Sequence, residues 1–66
     1  MKRVVTNSYE VIEAISCLHV YMGKTYMCSL HGKTFNDFSY NGKVDRNKLE
    51  EAINGELDNN VEQKNK

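Results

Sequence analysis

A chain of 66 residues makes one small domain, and at that size the apolar core it can bury is marginal. Nine basic and nine acidic residues cancel to a net charge of zero, which argues against a protein that lives by gripping phosphate backbones. Two cysteines with no proline or tryptophan exclude a disulfide framework, so dimerisation is the expected remedy for so small a core.

The start, Met1-Lys2-Arg3-Val4-Val5, is basic but has no apolar run long enough for a signal peptide. No segment approaches the roughly 20 apolar residues of a membrane span. A soluble cytoplasmic protein with reduced thiols is therefore expected.

From Val4 to Met22 the chain leans towards strand. One alternating set is Tyr9, Val11, Ile15, Cys17, His19 and Tyr21, interrupted by Glu13; the other runs Glu10, Ile12, Ala14, Ser16, Leu18, Val20 and Met22. Neither set is cleanly polar, which predicts a bulge or a strand buried partly on both sides. Helical spacing of Val11, Ile12 and Ile15 is the competing reading.

Met22-Gly23-Lys24-Thr25 reads as a hairpin turn, with glycine at the first central position suited to type II′. An unbroken register then sets Met22 opposite Thr25, Tyr21 opposite Tyr26, Val20 opposite Met27 and His19 opposite Cys28. Cys17, His19, Tyr21, Tyr26, Cys28 and Leu30 would share one face, on which a helix could lie.

Gly32 to Gly42 holds three of the six aromatic residues. Thr34 with Asp37 has capping-box spacing, and Asn41-Gly42 reads as a helix stop, so a short helix from Phe35 to Tyr40 is expected. Phe35 and Phe38 would lie on one face of it. Asp45 can then cap a helix through Leu49, Ala52 and Ile53, with Asn54-Gly55 as a stop and Leu57 one turn later. Residues 58–66 carry one apolar side chain and are expected to be a disordered tail behind a single domain of residues 1–57. The fold class is α+β: a hairpin-based antiparallel sheet, a short docked helix and a C-terminal helical segment.

Few residues carry candidate chemistry. Cys17, His19, Cys28 and His31 are spaced C-x-H and C-x₂-H, unlike the paired knuckles of structural zinc sites, and His31 would point away from the other three. Core packing is the expected role for these thiols, with no metal and no cofactor. Cys–His catalysis would need a third orienting group and a cleft, for which so short a chain leaves little room, so no catalytic residue is assigned. Gly32-Lys33-Thr34 has the last letters of a phosphate-binding loop without its first glycine. Six aromatic side chains could stack on single-stranded nucleic acid, but the neutral charge favours a protein-docking surface.

Ser8-Tyr9-Glu10-Val11, then Gly23-Lys24-Thr25-Tyr26, then Gly32 through Asp37-Phe38 resemble the small uracil-DNA glycosylase inhibitors of Bacillus phages with protein-primed replication. The likeness covers roughly residues 8–40, and order and ungapped spacing from Gly23 to Phe38 carry it. It implies a homodimer in the cytoplasm of the infected bacterium. Helices would line a pocket across the two-fold axis and capture an apolar side chain of the enzyme's DNA-intercalating loop. Carboxylates around the pocket would take the place of DNA phosphates, with no direct binding of nucleic acid and no membrane.

On this likeness Phe38 and Asp37 match directly, and Ser39 stands where the family has glutamate. Tyr40 matches the family's tyrosine after a small shift, since its ungapped partner is Gly42. Phe35 and Tyr40 would help Phe38 form the pocket, Glu10 would add charge, and Tyr26 completes the candidate partner-binding set. After Gly42 the likeness ends, because the relatives alternate there as a strand does. The alternative readings are a small phage protein that binds a different host protein or nucleic acid, and a zinc-stabilised module.

Overall fold

The computed structural model describes the backbone of residues 2–64 and the side chains of residues 2–59. Four antiparallel strands form one sheet in sequence order: β1 (Arg3–Val5), β2 (Glu10–Glu13), β3 (Cys17–Met22) and β4 (Thr25–His31). A 3-10 helix (Phe35–Phe38) leads into a two-stranded hairpin, β5 (Ser39–Tyr40) and β6 (Lys43–Val44), and then into α1 (Arg46–Lys64). The α+β class expected from the sequence is the one observed.

The run expected as one bulged strand is two strands joined at Ala14–Ser16. Val11 pairs with Val20, and the Ala14 amide donates to the Cys17 carbonyl at 2.9 Å across the turn. Ile15 is fully solvent-exposed at this turn, so its fit to either alternation or helix was accidental. A second turn, Thr6 to Tyr9, separates β1 from β2 and closes with Thr6 N–H donating to the Tyr9 carbonyl at 2.8 Å. Short turns with ordinary backbone angles leave little mark on a sequence rich in apolar residues on both sides.

The Gly23-Lys24 turn forms as expected, with a positive φ of 62° at Gly23. Tyr21 faces Tyr26, their rings meeting edge-on with centroids 5.5 Å apart. One residue later the register slips. Val20 faces Cys28 and His19 faces Ser29, leaving Met27 as the extra residue of a bulge. Because side chains alternate with a period of two, one inserted residue sends everything beyond it to the other face. Cys28 and Leu30 thus join Leu18 and Val20 in the core, whereas Cys17, His19, Tyr21 and Tyr26 stay on the opposite face. The single shared face expected for these six residues does not exist.

Against the core face pack Phe35 and α1. Tyr9, Val11, Leu18, Val20, Cys28, Leu30, Phe35, Leu49 and Ile53 form one buried cluster, with Val4, Met27, Phe38, Val44, Ala52 and Leu57 around it. Two hydrogen bonds tie the β1–β2 turn to the helix. Ser8 N–H donates to Glu50 Oε1 at 3.1 Å, and the Tyr9 hydroxyl donates to Asn54 Oδ1 at 2.8 Å. Tyr9 is therefore a core residue.

Asp45 caps α1 as expected, its Oδ1 accepting from the amides of Asn47 (3.1 Å) and Lys48 (3.2 Å). The expected stop at Asn54-Gly55 does not act. Gly55 is not among the glycines with positive φ, and helical backbone continues to Lys64. Most of the segment expected as a tail, residues 58–64, is thus helical backbone, and residues 65 and 66 lie outside the described residues. A glycine inside a helix is unfavourable by about 0.8–1 kcal/mol relative to alanine, and an added Cβ at Gly55 would meet nothing within 4 Å. Gly55→Ala should therefore raise stability by about 0.5–1 kcal/mol in urea unfolding; an unchanged or lowered midpoint would show that the helix does not run through this position.

Candidate protein-docking site

Five of the seven candidate partner-binding residues lie on one continuous segment. Phe35 opens the 3-10 helix, and its ring is 4% exposed in the core beside Leu49 and Ile53. Its amide donates to Glu13 Oε2 at 2.9 Å, which fastens the segment to β2. Asp37 reaches back to the Thr34 amide at 2.7 Å, the acidic half of the expected capping box.

The helix stops at Phe38, not at Tyr40. Ser39 turns extended, its hydroxyl donating to the Phe35 carbonyl at 2.8 Å, and the Asp45 amide donates to the Phe38 carbonyl at 2.7 Å. Asn41 (φ 53°) and Gly42 (φ 80°) then make the turn of the β5–β6 hairpin instead of a helix stop. Two successive positive φ values are what a type I′ turn requires, and Asn-Gly is its preferred pair.

This corrects the setting of Tyr40. It lies in a strand opposite Lys43, 73% exposed, two residues after a half-buried Phe38. The hairpin is held at its turn and twice at its base. A large ring is thus presented on backbone that is already ordered, which lowers the entropic cost of docking.

Glu10 and Tyr26 lie elsewhere, on the face of the sheet away from Phe35. Glu10 alternates with buried Val11, and its Oε2 pairs with Arg3 Nη1 at 2.7 Å. Tyr26 shares a network with three neighbours. The Cys17 thiol lies 3.5 Å from His19 Nε2, His19 Nδ1 is 3.0 Å from Ser29 Oγ, and Ser29 Oγ in turn bonds the Tyr26 hydroxyl. Ile12, half-buried, and Val5, exposed, extend this surface across β2 and β1.

The bulge also divides the four candidate zinc ligands. Cys17, His19 and His31 lie on the outer face, His31 directly opposite Cys17, while Cys28 is in the core. The expectation that His31 points away from Cys17 and His19 is therefore corrected. Burial, and after it the Glu56 carboxylate, push the Cys28 thiol upward, so it keeps its proton in the core. Among the described residues no three His, Cys, Asp or Glu side chains form a metal site, and no helix is long and apolar enough to cross a membrane.

The carboxylates near the aromatic segment already have partners within the fold, Asp37 holding the Thr34 amide and Glu13 the Phe35 amide, and on the far face Glu10 holds the Arg3 guanidinium. Glu51 and Asp58 are exposed seven residues apart on α1, two turns along the same side of the helix. Residue type alone did not single them out. No protein-family model, no curated protein and no solved structure compared with this chain matches it.

Proposed function

We propose that this chain acts by docking onto another protein without chemistry of its own, as an inhibitor of uracil-DNA glycosylase in the cytoplasm of an infected bacterium. The observation that carries the reading is Tyr40, a large ring held outward on a hairpin braced at both ends. Aromatic anchors on ordered backbone are what protein interfaces concentrate their energy in. The order of short motifs from Ser8 to Phe38 supplies the target. Glycosylases that flip bases hold a groove open to charged DNA, so a neutral plug at its entrance blocks them sterically.

In this reading Tyr40 and Phe38 meet the apolar residue of the enzyme's intercalating loop. Glu51 and Asp58, which have no hydrogen-bond or ion-pair partner among the described residues, offer their carboxylates to its cationic groove, since Asp37 and Glu10 are engaged within the fold. The test is excision of uracil from a labelled oligonucleotide by a bacterial uracil-DNA glycosylase, titrated with this protein. Stoichiometric loss of activity, without binding of the inhibitor to the oligonucleotide, is expected. Full activity at large excess would reject the target and turn the search to another host protein.

Self-association is part of the proposal, and the outer face of the sheet is the surface best suited to it. It carries Val5, Ile12, Tyr21 and Tyr26, its Arg3–Glu10 ion pair is satisfied internally, and the chain bears no net charge to oppose contact. Sedimentation equilibrium should show a dimer, and Tyr26→Glu should shift it to monomer while leaving the thermal midpoint within a few degrees. A variant that remains dimeric would move the interface elsewhere.

A further inference from the structure

Outside the aromatic segment and the outer sheet face lies an open groove of about 670 Å³, lined by Val4, Lys43, Val44, Asp45, Arg46 and Asn47. We propose that this groove binds an extended acidic segment of a partner protein along the free edge of β1.

Three features argue for that occupant. The first is backbone. β1 is an edge strand, paired only with β2. Lys2 accepts from the Glu13 amide and Thr6 donates to the Tyr9 carbonyl, both towards the β2 side. Bonded and non-bonded pairs alternate along an antiparallel ladder, so the peptide groups of Arg3 and Val5 point outward, have no partner among the described residues, and can pair with an added strand.

The second feature is the floor. Val4 and Val44, each half-buried, give an apolar seat for a single side chain of that strand.

The third is charge. Lys43 and Arg46 are exposed on the rim, and Arg3–Glu10 is the only ion pair among the described residues, so both cations are without a carboxylate. The carboxylate of Asp45 in the lining is turned to the amides of Asn47 and Lys48. A strand with an apolar residue between acidic ones complements this arrangement. A nucleic acid does not, because two cations on a chain of zero net charge release too few counterions to hold a phosphate backbone.

The test uses the full chain and a fluorescein-labelled Glu-Asp-Val-Asp-Glu peptide. Anisotropy should rise saturably, and backbone amide shifts should cluster at residues 3–5 and 43–47. Lys43→Glu combined with Arg46→Glu should weaken binding about tenfold or more, and both positions are exposed, so the fold is kept. The proposal is overturned by absence of saturable binding, or by equal affinity for a Lys-Arg-Val-Arg-Lys peptide. Tighter binding of a single-stranded oligonucleotide, an unaffected double variant, or shifts confined to other residues would overturn it as well.

Discussion

Phe35→Ala should destabilise the protein by about 3–5 kcal/mol, the usual range for deleting a buried aromatic ring. A domain of this length has only about 3–10 kcal/mol in total, at about 0.05–0.15 kcal/mol per residue. The variant should therefore lie at the edge of folding at room temperature. The ring sits between the sheet and α1, in the same cluster as Leu49 and Ile53, and its residue is also anchored through the Glu13 carboxylate and the Ser39 hydroxyl. Losing the ring leaves a cavity where three elements meet. Urea unfolding followed by circular dichroism gives the measurement. A midpoint corresponding to less than about 1 kcal/mol of loss would mean that the ring is not part of the core, and would return Phe35 to the contact surface that the sequence suggested for it.

Tyr40→Ala should do the opposite. Its side chain is 73% exposed and has no hydrogen bond among the described residues, so stability should change by no more than about 0.5 kcal/mol. Inhibition of the glycosylase should weaken by about 30-fold, equivalent to about 2 kcal/mol, the threshold of an interface hot spot. Read together, the two substitutions separate fold from function within one short segment. If Tyr40→Ala inhibits as well as the parent protein while both remain folded, the hairpin is not the docking element. The outer sheet face with Tyr26 would then be the next surface to mutate.

Much of the fold was legible because its signals are local. Gly23-Lys24, the Asp45 cap and the Leu49–Ala52–Ile53 stripe each depend on a few neighbouring residues, and all three formed. The errors arose where one local signal serves two structures. Asn-Gly ends a helix with one positive φ or closes a hairpin with two, and only the pairing of Ser39 with Val44 decides between them at Asn41-Gly42. At Asn54-Gly55 the same pair does neither, because the apolar stripe continues through Leu57 against the core.

The Met27 bulge was hidden for a different reason. It conserves the Gly23 turn and the Tyr21–Tyr26 pair, and alters only which face the following residues occupy. Thr25 to Leu30 has apolar residues in both alternating sets, so its pattern could not reveal the slip. The candidate site suffered accordingly. Its aromatic segment was located from the sequence, but Phe35 is in the core, and Glu10 and Tyr26 are on the far side of the sheet.

The long sequence separation between the first strands and α1 has a consequence for folding. The contacts that join the first turn to this helix span 42 and 45 residues, from Ser8 to Glu50 and from Tyr9 to Asn54. Before α1 docks, the four strands can pair, yet Leu18, Val20 and Leu30 lack the cover that Leu49 and Ile53 give them. Until that docking occurs the sheet carries a bare apolar face of the kind that chaperones engage.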